Sequence, residues 1–150
     1  MQTFLPYDNY AQSAKVLDRQ RLGKQRVENL QIIKALTDPG YGWQNHPAVK
    51  MWRGHLGALL DYQRAICNEW TSRGYKDTCL NKSMLIVADI TDLQLQGVPN
   101  NDEFAEPKWL GNPSLHRSHR SNLLRKNRDH YKPLFELSLP DDLPYIWPVL

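Results

Sequence analysis

The chain has 150 residues, 41% of them hydrophobic, and a formal net charge of +3. A chain of this length is about one domain long and buries roughly two thirds of its unfolded surface, so it needs neither disulfides nor a metal for stability. No apolar run approaches the roughly 20 residues of a bilayer span, and the N-terminus lacks a secretory signal pattern, which excludes a membrane-spanning protein. We expect a soluble cytoplasmic protein that forms one domain over residues 1–150 and uses no metal or cofactor.

The spacing of apolar residues predicts three main helices, so the predicted fold class is all-α, a compact single domain. The first helix follows about ten extended residues and runs from about 10 to 36, where a Thr-Asp-Pro-Gly turn ends it. The second runs from about Pro47 to Arg73 and carries a broad apolar stripe. The third is capped by Ser114 and extends to about Asn127.

The remaining segments give weaker signals. Residues 84–88 (Met-Leu-Ile-Val-Ala) fit a short strand and a buried helical turn equally well. Residues 97–113 are polar and contain three prolines, which indicates a loop. Residues 137–150 are rich in proline but also apolar, so we expect an extended C-terminal tail that packs across the helices.

Positive charge is concentrated in two stretches. Residues 15–26 contain five Lys or Arg and one acid, and residues 116–132 contain six and one. Solvated helix faces would explain either stretch alone, but the pair, rich in Arg, favours binding to DNA phosphates. The predicted DNA-binding residues, including nearby histidines and an aromatic, are Arg19, Arg21, Lys24, Arg26, His46, His116, Arg117, His119, Arg120, Arg125, Lys126, Tyr131 and Lys132.

Two further residues in or near the basic stretches stand out. Gly23 is unfavourable inside a helix by about 1 kcal/mol relative to Ala, which suggests that another backbone or a DNA strand comes close to it. Glu28 lies one turn from Lys24 and two turns from Arg21. It is either an ordinary i, i+4 ion-pair partner or a carboxylate kept ionised in a cationic groove, where it can stabilise positive charge on a sugar. The i, i+3 spacing of His116 and His119 would suit a shared metal, but no third ligand has matching spacing.

The run Arg-Gln-Arg-Leu-Gly-Lys-Gln-Arg-Val-Glu at 19–28 resembles a helix of the pyrimidine-dimer DNA glycosylase (endonuclease V) family. His-Pro-Ala-Val at 46–49 and the helix end at 70–77 are similar to two other segments of that family. The basic third helix and His-Tyr-Lys at 130–132 resemble its last helix and C-terminal stretch. The resemblance covers about residues 1–135, without 76–113.

The resemblance implies a compact all-α fold and a chemistry in which the N-terminal α-amine attacks C1′ of a damaged nucleotide. The base leaves, an imine forms, and β-elimination can then cleave the strand. α-Amines have a pKa of about 7.7–8.0, so a useful fraction is nucleophilic near neutral pH. On a gapless match the catalytic glutamate falls at Glu28, although the spacing from Gly23 leaves a shift of one residue open.

Residue 2 leaves three possibilities for the nucleophile, because a residue as large as Gln2 normally prevents removal of the initiator Met. The α-amine of Met1 acts, or Thr3 is exposed by other processing, or the lyase chemistry is absent. The predicted catalytic residues are therefore Met1, Gln2, Thr3 and Glu28. The expected partner is double-stranded DNA carrying damaged or modified pyrimidines, without a membrane or an obligate protein partner. A non-catalytic DNA-binding module and an enzyme acting on free nucleotides are the alternatives.

Overall fold

The computed structural model describes residues 1–95 and 105–148. Within these residues the chain forms seven α-helices and no strand, which confirms the all-α prediction. The helices are α1 (Tyr10–Val16), α2 (Arg19–Thr37), α3 (Pro47–Trp52), α4 (Leu56–Ser72), α5 (Cys79–Leu95), α6 (Pro113–Lys126) and α7 (Arg128–Tyr131). None of the helices in these two ranges combines the length and the apolar character needed to cross a bilayer.

Two of the three predicted helices are each broken into two. Between α1 and α2 the backbone of Leu17 and Asp18 is extended, and the break brings the Leu17 side chain fully into the core. Between α3 and α4, Gly54 has a φ of +82°, a left-handed conformation that favours glycine and cannot continue a helix. The prediction of continuous helices over 10–36 and 47–73 is therefore wrong at these points, because apolar periodicity over a long window does not register a short interruption.

The other predicted elements fall as follows. Residues 84–88 lie inside α5, so the strand alternative is wrong. The third predicted helix corresponds to α6, but Asn112 rather than Ser114 caps it, since the Asn112 side chain accepts hydrogen bonds from the next backbone N–H groups at 3.0 and 3.2 Å. Of the predicted loop, residues 97–104 lie outside the described residues, and residues 105–112 form turns. Residues 132–148 contain no helix.

Helices α2 and α4 form the centre of the fold. α4 packs against α1, α2 and α5, and α2 also contacts α3 and α5. The rings of Trp52 and Tyr62 stack in the core with their centroids 5.8 Å apart. Phe4 and Leu5 are also buried in this core. The segment that precedes α1 therefore runs through the interior of the molecule, although it forms no helix.

Gly23 lies where α2 passes the side chain of Trp70. A Cβ atom at this position would lie 2.9 Å from Cη2 of the indole, closer than real Cβ atoms come to their neighbours. The close neighbour is thus a tryptophan, not a second backbone or a DNA strand as the sequence suggested. The indole is also in contact with the guanidinium of Arg26 at 4.5 Å and the ring of Tyr75 at 4.3 Å, so it cannot move freely.

We expect Gly23→Ala to lower the free energy of unfolding by about 1 kcal/mol or more, because overpacking a fixed indole outweighs the gain in helix propensity. Urea denaturation measures this change. Gly42→Ala is the matched control, since a Cβ at Gly42 meets no atom within 4 Å. A Gly23→Ala protein as stable as the parent would contradict the close packing against Trp70.

Candidate active site

Helix α2 holds the first residues of the chain through two buried polar side chains. Gln25 accepts a hydrogen bond from the backbone N–H of Phe4 at 3.0 Å and donates one to the carbonyl of Gln2 at 2.9 Å. Glu28 accepts the N–H of Gln2 on Oε2 at 3.1 Å, and its Oε1 lies 4.0 Å from the nitrogen of Met1. The apolar pattern fades in the first half of α2 because part of that half is buried against the N-terminal backbone. Its buried side chains are polar and bond that backbone.

Helix α6 bonds the same N-terminal segment at Leu5. His119 Nδ1 accepts the backbone N–H of Leu5 at 3.0 Å, and His116 Nδ1 lies 2.8 Å from the Leu5 carbonyl. Because His116 Nε2 accepts the N–H of Gly111 at 2.9 Å, the His116 proton is on Nδ1 and the ring donates to Leu5. Burial lowers the pKa of His116 and lowers the pKa of His119 to about 3, so both rings are neutral at pH 7.

Aromatic side chains complete the enclosure of the segment. The Tyr62 hydroxyl donates to the carbonyl of Phe4, and the Tyr145 hydroxyl donates to the carbonyl of Thr3. Burial raises the pKa of both tyrosines well above the usual value, which keeps the hydroxyls protonated as donors. Trp52 Nε1 donates to the hydroxyl of Thr3 at 3.1 Å. Thr3, a predicted catalytic residue, is thus fully buried with its hydroxyl and carbonyl already bonded.

The nitrogen of Met1 lies beside Glu28, and Glu28 borders a small cavity. The Met1 side chain is 2% exposed, which fixes the position of the nitrogen. Lys24 Nζ lies 3.9 Å from Glu28 Oε1, and its side chain is 73% exposed. The cavity has a volume of about 90 Å³ and is bordered by polar and cationic side chains, among them Gln2, Gln20, Arg21, Lys24, Glu28 and Lys126. A carboxylate and several cations therefore border one small cavity, and the Met1 nitrogen lies 4.0 Å from that carboxylate.

A larger open groove of about 740 Å³ lies beside this cavity and shares Gln20 and Lys24 with it. Its other lining residues come from α2, α4 and the region around α7, and they include Arg19, Arg26, Trp70, Asn127 and His130. Arg19 lies 5.2 Å from the ring of Tyr75. Arg26 is more enclosed, because it pairs with Asp77 and stacks on Trp70. The groove and the cavity are therefore neighbours, and their cationic side chains together form a surface along α2.

The structure separates the predicted DNA-binding residues into groups. Five of them border the cavity or the groove: Arg19, Arg21, Lys24, Arg26 and Lys126. His46 lies elsewhere, at the start of α3, where its Nδ1 accepts the N–H of Ala48 at 3.0 Å. His116, His119 and Tyr131 are buried, and the Tyr131 hydroxyl donates to the Asp18 carboxylate. These three side chains have structural partners, so they do not form part of the cationic surface.

The remaining predicted DNA-binding residues lie away from this surface or have intramolecular partners. Arg120 donates to both carboxylate oxygens of Glu136 at 3.0 Å and to the carbonyl of Pro6 at 2.7 Å. Arg125 donates to the carbonyl of Asp141. Arg117 borders a separate, mainly apolar groove, and Lys132 borders a small pocket near α7. The described residues contain no cluster of three or more side chains suited to hold a metal ion.

Sequence reasoning missed Gln20, Gln25, Tyr62 and Tyr145. Gln25 had a visible signal, because it lies between Leu22 and Glu28 in a stretch of helix that lacks apolar residues at the expected spacing. A buried helix face that is polar must find hydrogen-bond partners, and an extended backbone segment is one source of them. The tyrosines had no such signal, since an aromatic residue in a helical stripe is expected in the core in any case.

The histidine contacts generate a pH prediction. Because the folded pKa of His119 lies below the unfolded value of about 6.5, the unfolded chain binds protons first, and stability is lost as the pH falls through 6.5. We expect His119 to contribute a loss of about 1.5 kcal/mol between pH 6.5 and 5, measured by urea denaturation. The variant His119→Asn keeps an acceptor for the N–H of Leu5, but its side chain does not titrate. Between pH 6.5 and 5 its free energy of unfolding should therefore fall by about 1.5 kcal/mol less than that of the parent.

The parent and the His119→Asn variant contain the same carboxylates, so this comparison isolates the contribution of His119. A hydrogen bond from Arg120 lowers the pKa of Glu136, so that group titrates below the pH range of the measurement. Equal losses of stability in the parent and in His119→Asn would show that His119 takes up a proton in the folded state.

Comparison with known proteins identifies the family. A family model described as pyrimidine dimer DNA glycosylase matches residues 1–83 of the 150. No curated protein and no solved structure matches the chain. The matched range includes the N-terminal segment, Glu28 and His46, and it ends within α5. The resemblance of α6 and residues 130–132 to the family therefore stays a prediction. The match covers more than half of the sequence, and the chain belongs to the pyrimidine dimer DNA glycosylase family.

Proposed function

We propose that this protein excises damaged pyrimidines from duplex DNA, with the nitrogen of Met1 as nucleophile and Glu28 as the catalytic carboxylate. The observation that carries the proposal is the distance of 4.0 Å between that nitrogen and Glu28 Oε1. Glu28 borders a cavity that shares Gln20 and Lys24 with the neighbouring cationic groove along α2. Family membership makes DNA the substrate class, and the duplex form, the lesion and the imine chemistry belong to the proposal.

The proposed reaction begins when the neutral amine attacks C1′ of the damaged nucleotide. The bond from C1′ to the base breaks, and the base leaves with the electron pair and takes up a proton. The bond from C1′ to O4′ then breaks, O4′ keeps the electron pair and takes up a proton, and the nitrogen loses a proton, which gives an imine between Met1 and C1′. Removal of a proton from C2′ then expels the 3′ phosphate by β-elimination, and hydrolysis of the imine releases the protein.

Glu28 contributes by electrostatics. Positive charge develops on the attacking nitrogen and on the sugar as the glycosidic bond breaks, and a fixed carboxylate stabilises that charge more than it stabilises the bound substrate. The hydrogen bond from Gln2 N–H to Oε2 orients the carboxylate, and Oε1 is the oxygen that faces the Met1 nitrogen. Glu28 is 7% exposed, so water screens this interaction weakly.

Met1 is a better candidate for the nucleophile than Thr3. Thr3 is fully buried, and both its hydroxyl and its carbonyl are bonded to aromatic side chains. Exposing a Thr3 amine would require removal of residues 1 and 2, which carry the contacts to Gln25 and Glu28. The arrangement around Glu28 therefore favours a chain in which Met1 is retained and its amine is free.

The DNA backbone is proposed to follow the groove along α2. Arg19 and Lys24 line it, and Lys126 approaches from α6 at the neighbouring cavity. Lys24 combines high exposure with a position at both the cavity and the groove, which suits a phosphate contact next to the attacked sugar. This set of cations is smaller than the one predicted from the sequence, because the Arg residues 120 and 125 bond other parts of the chain.

We expect Glu28→Gln to slow single-turnover glycosidic cleavage of a duplex with one thymine dimer by about a hundredfold or more, the size of effect typical for loss of a preorganised polar group. DNA affinity should stay the same or rise, since the variant removes a negative charge beside Lys24. Glu69→Gln is the matched control, an acid in an i, i+4 pair with Arg73 on α4. Cleavage within a few-fold of the parent would remove Glu28 from the mechanism.

We expect borohydride added during the reaction to trap a covalent protein–DNA adduct that peptide mapping places at Met1. A protein with an acetylated N-terminus should give no adduct, because an amide nitrogen cannot form an imine. Intact mass before the reaction establishes whether Met1 is retained. An adduct on Lys24 would keep the lyase class but overturn the role of Met1. Cleavage without any adduct would indicate attack by water.

A further inference from the structure

Four side chains contact one another in a row beside the cationic groove. The guanidinium of Arg19 lies over the ring of Tyr75, with its central carbon 5.2 Å from the ring centroid. The rings of Tyr75 and Trp70 follow, with their centroids 4.3 Å apart and their planes inclined by 30°. The guanidinium of Arg26 lies 4.5 Å from the Trp70 ring. Two arginines therefore form the ends of the row, and two aromatic rings lie between them.

The Arg26 end of the row is fixed by the fold. Arg26 pairs with Asp77, and the same carboxylate accepts two backbone N–H groups at the start of α5, at 3.1 and 2.9 Å. The indole of Trp70 donates from Nε1 to the carbonyl of Lys76 at 3.0 Å and packs closely on Gly23. Because Asp77 balances the charge of Arg26, this end of the row has a structural partner in place of an anionic ligand.

The Arg19 end of the row is open. Arg19 is exposed and lines the groove, and no carboxylate pairs with its guanidinium in the part of the chain that the structure describes. Asp18 also lines the groove, but it is buried and already bonded by Arg21 at 3.2 Å and by the hydroxyl of Tyr131. The N–H groups of Arg19 are therefore available to an anion in the groove.

An aromatic ring under a guanidinium favours phosphate binding. The face of the ring attracts the cation, while the N–H groups at the edge of the guanidinium stay free and match two oxygens of a phosphate. A long exposed side chain without such support loses conformational freedom when it binds, and this loss reduces affinity. A ring that restricts the guanidinium beforehand lowers that cost.

We propose that Tyr75 is a positioning residue that holds the guanidinium of Arg19 for a bidentate contact with a DNA phosphate. The inference rests on the proposed function and adds a residue that is not itself part of the groove lining, so Tyr75 acts through Arg19. Trp70 packs on Tyr75, and the ion pair of Arg26 completes the support. The row thus gives its two arginines different roles, because Arg26 stabilises the structure and Arg19 binds the DNA backbone.

The test measures equilibrium binding to an undamaged duplex over a range of salt concentrations. Arg19→Gln removes the cation, and Arg19→Lys keeps the charge but not the planar fork. Tyr75→Leu removes the ring, and Tyr75→Phe keeps it. Tyr7→Leu is the matched control, because Arg120 lies 5.6 Å from the centroid of the Tyr7 ring but already pairs with Glu136. Urea denaturation establishes that each variant is folded under the conditions of binding.

We expect Arg19→Gln to flatten the slope of log K against log salt by about 0.9, the contribution of one phosphate. Arg19→Lys should keep the slope but bind more weakly than the parent. Tyr75→Leu should weaken binding about two- to fivefold, which corresponds to an exposed cation–π contact. Tyr75→Phe and Tyr7→Leu should bind like the parent.

The double variant Arg19→Gln/Tyr75→Leu separates positioning from a general structural effect. If Tyr75 acts through Arg19, losing the ring has no further effect once the guanidinium is gone. A full additional loss in the double variant, or an unchanged slope in Arg19→Gln, overturns the inference. Equal affinity of Arg19→Lys and the parent also overturns it, and that outcome requires no change at Tyr75.

The proposed function is checked separately, by cleavage of the thymine-dimer duplex by the parent protein. A parent that cleaves this duplex keeps the proposed function even where the variants overturn the role of Tyr75. A parent that neither binds duplex DNA nor cleaves the dimer overturns both.

Discussion

The structure depends on one constraint: an extended N-terminal segment lies in the core, and its backbone polar groups need partners there. A buried N–H or C=O without a partner costs about 1–3 kcal/mol. Neither a helix nor a sheet supplies the partners, so side chains do, from α2, α4, α6 and the C-terminal region, through Gln25, Tyr62, His119 and Tyr145. Polar residues are buried on these elements for this reason. Burial also lowers the pKa of His116 and of His119, and their neutral rings bond the peptide groups of Leu5 and Gly111.

The same constraint fixes the proposed chemistry. A chain terminus is ordinarily mobile, and a mobile nucleophile loses the advantage of a preorganised site. Here the backbone of residues 2–5 is bonded on several sides, so the Met1 nitrogen is held near Glu28. Glu28 serves the structure and the proposed reaction with different oxygens, since Oε2 accepts from Gln2 and Oε1 faces the Met1 nitrogen.

The sequence predicted the all-α class and the approximate positions of α2, α4 and α6, but not α5 as a full helix. The catalytic role of Glu28 stays a prediction. The sequence did not predict the breaks at Leu17 and Gly54, because a break of one or two residues leaves the apolar period on each side intact. It also predicted more DNA-binding residues than border the groove and the cavity. Charge along a helix indicates that phosphate binding is possible, but partners distant in sequence decide which cations are free. Arg120 has Glu136 as its partner, whereas Lys24 is largely exposed.

The bond between Tyr145 and Thr3 joins residues that are separated by 142 positions. Contacts of such high sequence separation form late, because closing a long loop costs entropy before any contact compensates for it. During synthesis, which proceeds at about 5–20 residues per second, residues 3–5 emerge well before α6 and Tyr145. The backbone of these residues therefore stays without two of its side-chain partners, His119 and Tyr145, until more than a hundred further residues have been added.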